Sequence, residues 1–203
     1  MTPWHRRGSA AHAPIVLALL ASVLGLGSAC TPPAADAPTA AAVILPEGGP
    51  IDLMDQDRKP FSLDDHRGEV VVVFFGYTSC PDYCPAAMAQ MTRVLNRLGA
   101  DRDRVLTAFI SVDPDRDTPE ILDAYVGNFR LRAVGLTGDP DAIDDVVRRY
   151  GATYEIVDDG SAMGPQVHHS TQLAIIDREG RLRRLIAHDT ETDRIVRAIQ
   201  ELL

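Results

Sequence analysis

The sequence predicts an α/β fold in which a central mixed sheet is flanked by helices. Three observations carry this. The runs Glu69–Phe75 and Arg104–Val112 are rich in β-branched and aromatic residues and too continuous for half-exposed strands, so they belong in the middle of a covered sheet. Segments with apolar residues every three or four positions alternate with such runs, which is helical spacing. Near the C-terminus two short apolar runs flank Arg178-Glu179-Gly180, a hairpin signal.

Each element has its own justification. After the buried strand Glu69–Phe75, Pro85–Leu98 places Met88, Met91, Val94, Leu95 and Leu98 on one helix face. Arg104–Val112 is the second buried strand. Thr118-Pro119 supplies an N-cap and a first-turn proline for a helix to about Phe129. Ala133–Thr137 is a short strand, and Asp139-Pro140 repeats the capping device for a helix to Tyr150. Tyr154–Val157 forms a further strand before a loop, Asp158–Gln166, whose Gly160, Ser161, Gly164 and Pro165 offer few apolar anchors. That loop is expected to be among the least stable parts of the domain. Thr171–Asp177 and Leu182–Ala187 make the hairpin, and Thr190–Leu202 closes the chain as a helix with Ile195, Val196, Ile199 and Leu202 on one side. Alternation that ends in a β-hairpin plus helix predicts a thioredoxin-like sandwich with an inserted strand–helix portion.

The first 29 residues read as an export signal: Arg6 and Arg7 form a positive n-region, and Ile15–Ala29 is an uncharged, mostly apolar stretch. At 15 residues that stretch is short for a membrane span. Gly27-Ser28-Ala29-Cys30 resembles a bacterial lipobox, with Gly27 where the motif usually has Leu, so lipidation at Cys30 is expected. An uncleaved anchor and ordinary cleavage are the alternatives, and Arg6-Arg7 is a weak twin-arginine signal. Each version leaves the domain outside the cytoplasm, and the expected lipidation places it on the extracytoplasmic face of a bacterial membrane. Residues 30–48 read as a flexible Ala/Pro-rich tether, leaving 49–203 as one domain with a full core.

The formal charge of the chain is −9, and the leader's two arginines make the remainder more negative still. That argues against nucleic acid and anionic membrane surfaces as partners. With three cysteines, lipid on Cys30 leaves Cys80 and Cys84 as a pair. Outside the cytoplasm such a pair forms a disulfide unless it is reduced or holds a metal.

Gly76-Tyr77-Thr78-Ser79-Cys80-Pro81-Asp82-Tyr83-Cys84-Pro85 joins the first buried strand to its helix. Two thiols at a helix N-terminus lie close together, where the dipole favours thiolate, the form that attacks disulfides and binds soft metals. The flanking prolines and Asp82-Tyr83 suggest an exposed loop. A purely structural disulfide closing so small a loop would stabilise a domain of this size by only about 2 kcal/mol. His168-His169-Ser170 leads into the Thr171–Asp177 strand and can lie beside the cysteines. Two thiolates and an imidazole suit copper in both oxidation states, and also zinc.

Asp113, Asp115 and Asp117 mimic the start of a calcium loop, but Thr118 and Ala124 stand where that loop needs Gly and Glu. They read instead as turn and capping residues. Met88 and Met91 fall on the apolar helix stripe and read as core, while His66 and His188 read as solvent-facing.

Gly76–Pro85, Ser111-Val112-Asp113-Pro114-Asp115-Arg116-Asp117-Thr118-Pro119-Glu120 and Val167-His168-His169-Ser170 resemble segments of the Sco/SenC family, in matching order from about Pro50 to the C-terminus. That resemblance implies a thioredoxin-like, membrane-tethered copper protein that assists assembly of the copper centre of cytochrome c oxidase. It implies copper, Cu(I) or Cu(II), on Cys80, Cys84 and His169. The family usually has Asp where this chain has His168, so His168 is the alternative imidazole. Asp113 is implied in an outer role near the site. The expected partners are a copper-receiving oxidase subunit, a thiol reductant, and a membrane through the N-terminal lipid or anchor. The rival reading is a thiol–disulfide oxidoreductase for an oxidase subunit or other exported protein. In it Cys80 is the nucleophile, Cys84 resolves the mixed disulfide, and the two pair when oxidised. A lipoprotein using the fold only for binding is a third class.

Overall fold

The computed structural model describes residues 45–158, 160 and 164–203. The expected signal, Cys30 and most of the tether lie outside the described residues, as does part of the loop after Val157. No helix among the described residues is long and apolar enough to cross a membrane.

A seven-stranded mixed sheet forms the centre. Its strands are β1 (Asp52–Asp55), β2 (Pro60–Ser62), β3 (Val70–Gly76), β4 (Val105–Ser111), β5 (Ala133–Thr137), β8 (Gln172–Ile176) and β9 (Leu182–Ala187), in the order β2-β1-β5-β4-β3-β8-β9. Strands β3, β4 and β5 run parallel, with Phe74 opposite Phe109 and Gly76 opposite Ser111. β8 joins β3 antiparallel and turns into β9. Every residue of β3 and β4 is buried, as continuous apolar runs require of strands covered on both faces. Four helices supply the cover: α1 (Tyr83–Leu98), α2 (Pro119–Gly127), α3 (Pro140–Arg149) and α4 (Thr192–Gln200). α1 and α4 pack on each other, α2 on β5, and α3 against β1.

Caps and ends follow the sequence. Thr118 and Asp139 each accept a hydrogen bond from the first turn of α2 and α3, from Ile121 N–H at 3.4 Å and Asp141 N–H at 2.9 Å. The predicted start of α1 at Pro85 is corrected to Tyr83. Asp82 is the cap, and Pro85 falls in the first turn, where its missing N–H has no helical partner to lose. Gly99, at φ 62°, ends the helix in a conformation that favours glycine.

The β1–β2 hairpin was not legible in sequence. β1 has four residues and one buried apolar side chain, Leu53, so no alternation reveals it. It forms because the edge of β5 offers pairing at Met54 and Asp55, and because the Asp55 carboxylate accepts the turn N–H groups of Asp57 and Lys59 at 2.9 and 2.8 Å. At the amino end of β3, Glu69 takes a bidentate pair from Arg132 at 2.8 and 2.9 Å. Burial pushes the Glu69 pKa up, but Arg132 and His66 outweigh it and hold the carboxyl below its usual range.

A second sheet is a two-stranded ribbon of β6 (Tyr154–Val157) and β7 (Gln166–His169), with Tyr154 opposite His169 and Glu155 opposite His168. The expected loop to Gln166 therefore ends in an unforeseen strand. Its residues Gln166 to His169 look irregular in sequence, and cross-strand pairing makes them regular.

Candidate metal centre

The carboxyl ends of the parallel strands β3 and β4 open on the same edge of the sheet, the usual place for chemistry in such folds. β3 leads into Tyr77, Thr78 and Cys80, and β4 into Asp113 and Asp117. β7 brings His169 to them from the ribbon. The ligand atoms of Cys80, Cys84 and His169 all lie within 4.8 Å of one another. Cys84 Sγ is 3.4 Å from His169 Nε2, and the Cys84 N–H points to Cys80 Sγ at 3.5 Å. Both cysteines are free thiols.

The loop is exposed as expected at Ser79, Pro81, Asp82 and Tyr83, but its two cysteines turn inward. Cys84 is fully buried and Cys80 is 8% exposed. Cys84 falls in the first turn of α1, on the face that carries Ala87, Met88 and Met91 into the core. Flanking prolines do not report on burial when one cysteine is already helical. Met88 and Met91 are core residues, as read from their spacing.

The period-two alternation of a strand places the two histidines differently. Val167 and His169 turn toward the domain, whereas His168 is exposed. The Nδ1 of His169 lies 2.9 Å from the Ser170 carbonyl, an acceptor that requires Nδ1 to carry the proton. Nε2 is left with its lone pair toward the thiols, the arrangement in which a backbone carbonyl orients a ligating imidazole. Phe74 and Tyr77 meet the ring edge-on at 6.0 and 5.9 Å and restrict its rotation.

The two thiols share one proton unequally. The Cys84 thiol donates toward Cys80, and with further donors nearby it holds Cys80 down to about 3 against the opposing effect of burial. The same hydrogen bond, then burial, pushes Cys84 above the ordinary thiol range. The pair therefore favours a thiolate on Cys80 and a thiol on Cys84.

Two residues hold this arrangement: Asp117, read from the sequence only as a turn or capping residue, and Gly76, to which the sequence assigns no separate role. Asp117 is fully buried and accepts from the Thr78 N–H at 3.0 Å and from the Thr78 and Ser111 hydroxyls, each at 2.6 Å. It ties the start of the cysteine loop to the end of β4. Its position in an Asp-rich segment was visible, but not that it points inward. Gly76 ends β3 where a Cβ would sit 2.8 Å from Cys84 Sγ and 2.9 Å from the Phe109 ring. Gly76→Ala is expected to destabilise the protein by about 1–3 kcal/mol, the cost of overpacking a filled core, and to weaken metal binding with it. Chemical denaturation and copper titration check this; wild-type values in both would mean that Cys84 has room to move.

Asp113 pairs with Arg116, Nε to Oδ2, at 2.5 Å, and burial pushes its carboxyl above the usual range despite that cation. The Arg116 guanidinium lies 5.8 Å from the Tyr77 ring centre, and Asp113 is not among the clustered Cys80, Cys84 and His169. His66 and His188 are not solvent-facing as expected. His66 stacks on Phe61 at 4.9 Å and meets Glu69 at 3.2 Å, and His188 packs against Tyr83. Single histidines in polar segments carry no periodic signal, so their burial is set by neighbours remote in sequence.

A thioredoxin-like sandwich with two thiols and an imidazole at the carboxyl edge of its sheet defines a class of soft-metal and redox proteins. The sequence model of the SCO1/SenC family matches residues 41–203, and the chain belongs to that family. An SCO2-like protein of Rickettsia prowazekii is 37% identical over 135 residues, 66% of each chain. The copper-bound ScoI of Bradyrhizobium japonicum superposes with a TM-score of 0.71 at 32% identity, over 77% of this chain and 99% of that one. BsSco, described as a member of the Sco family of cytochrome c oxidase assembly proteins with a disulfide switch, gives a TM-score of 0.63 at 25% identity, over 78% and 94%.

Proposed function

We propose that this chain is an extracytoplasmic copper metallochaperone that delivers copper to cytochrome c oxidase during its assembly, with Cys80, Cys84 and His169 as ligands. The observation that carries this reading is the convergence of the three ligand atoms within 4.8 Å. The donor set fits the cargo: thiolates suit Cu(I), and an added neutral imidazole suits Cu(II). The copper-bound relative and the family's link to oxidase assembly support it.

The residues divide the work. Cys80, already a thiolate beside a cavity of about 490 Å³, receives the metal first. Cys84 closes the site from within by giving up its proton. His169, carried on a ribbon outside the main sheet, adds the nitrogen ligand. Release reverses the sequence, as ligands of an oxidase subunit enter through the cavity and exchange for Cys80. In this reading residues 49–203 are the working domain, residues 30–48 are its tether, and lipid on Cys30 holds it at the membrane after loss of residues 1–29.

The unequal thiols also favour a second reading, reduction of a client disulfide. Cys80 thiolate attacks one client sulfur, and the other leaves as a thiolate that takes a proton from solvent. Cys84 then gives up its proton and displaces the second client thiol. The client ends as a dithiol and Cys80–Cys84 as a disulfide, which an external thiol reductant must regenerate.

Substitution of His169 separates the two. His169→Ala is expected to weaken Cu(II) binding by about a hundredfold while changing Cu(I) binding by far less, because two thiolates satisfy Cu(I). His168→Ala leaves both near wild type. Spectroscopic Cu(II) titration and Cu(I) competition read the difference. A larger effect at His168 overturns the ligand assignment, and negligible effects at both favour the oxidoreductase.

A further inference from the structure

The cavity over Cys80 has a rim that ligand binding does not explain. Tyr83 lies on that rim, 58% exposed, one residue before buried Cys84. A tyrosine so exposed in a first helical turn ordinarily samples several rotamers. Here the ring is held: His188, in the turn between β9 and α4, meets it edge-on with centroids 5.6 Å apart and planes at 89°.

That turn is itself anchored on both sides of the site. The His188 N–H donates to the Thr171 carbonyl at 3.3 Å, two residues beyond His169. The Thr190 carbonyl accepts from Nε2 of Gln90, a buried side chain of α1, at 2.8 Å, and the Thr192 hydroxyl reaches Gln90 Oε1 at 3.4 Å. The turn thus joins the helix bearing Cys84 to the segment bearing His169. The Nδ1 of His188 is buried with no hydrogen-bond partner among the described residues, so packing fixes this imidazole in place of a polar network.

We propose that Tyr83, positioned by His188, is the gate of the site and sets the size of ligand or thiol that reaches Cys80. Cys80 is 8% exposed and Cys84 is buried behind it, so an exchanging group enters through the cavity. Tyr83 and Pro81 line that cavity together with Tyr77 and Gln166. A ring fixed by its neighbour narrows the mouth, whereas a free ring does not. The use of this gate in copper transfer rests on the proposed function, but its existence does not, and its test needs no copper.

The test uses the reduced, metal-free full chain carrying Cys30→Ser, so that the site thiols alone can react. Alkylation of Cys80 is followed with iodoacetamide, which is small, and with fluorescein maleimide, which is bulky. Tyr83→Ala and His188→Ala are each expected to accelerate the bulky reagent about fivefold and the small one less than about twofold, as loss of one aromatic contact predicts. His188→Phe, which keeps an aromatic edge, holds the wild-type rate, and the double alanine variant is no faster than Tyr83→Ala. An unchanged bulky-reagent rate in Tyr83→Ala, or equal acceleration of both reagents, overturns the gate. Additive effects in the double variant, or failure of His188→Phe to hold the rate, removes His188 from it.

Discussion

Replacing either Cys80 or Cys84 by serine is expected to abolish tight copper binding by the reduced protein. A four-ligand structural zinc site is worth about 10–16 kcal/mol, and one ligand's share on that scale corresponds to a loss of about a hundredfold to a thousandfold. Hydroxyl is no substitute, because it neither ionises at neutral pH nor matches a soft metal. The wild-type site should also show a proton signature. With Cys80 held down to about 3 and Cys84 raised, the pair carries one proton at neutral pH, and two-thiolate binding expels it. The sign follows: affinity for Cu(I) rises with pH, about tenfold per unit for one proton released. Cys84→Ser removes that proton and should flatten the dependence. Competition against a Cu(I) chelator at several pH values measures both effects. Native affinity in either variant, or a wild-type affinity indifferent to pH, would place the metal elsewhere.

The second large effect is expected at Asp117, which binds no metal in this account. Asp117→Ala removes the acceptor for three groups: the Thr78 N–H, the Thr78 hydroxyl and the Ser111 hydroxyl. Orphaned polar groups in a buried site cost about 1–3 kcal/mol each, and partial re-pairing makes a total of about 3–5 kcal/mol reasonable. For a chain of this size that lowers the melting temperature by about 10 °C. Thr78 lies two residues before Cys80, so copper affinity should fall too, even under conditions where the variant is folded. Asp117→Asn keeps one acceptor oxygen and should be intermediate. A wild-type melting curve for Asp117→Ala would show that the cysteine loop is held by something else.

Much of this was legible in the chain itself. The buried character of β3 and β4 follows from their uninterrupted apolar runs, and the starts of α2 and α3 from Thr118-Pro119 and Asp139-Pro140. Cys80 and Cys84 announce a site because two thiols beside a helix start have few other uses. The errors share one cause, that local signals do not report on distant partners. The β1–β2 hairpin depends on the edge of β5, and Cys84 is buried because α1 begins earlier than Pro85 suggests. Gly76 and His188 acquire roles only from atoms remote in sequence, Phe109 in one case and Gln90 and Thr171 in the other.

The sequence alone determined the fold class and the two thiols, because strand burial, helix capping and cysteine spacing are local properties of the chain. It left open which of two adjacent imidazoles lies beside the thiols. That choice belongs to the tertiary structure. Pairing of β7 with β6 fixes a register in which neighbouring side chains face opposite ways, sending His169 to within 3.4 Å of Cys84 Sγ and His168 to solvent.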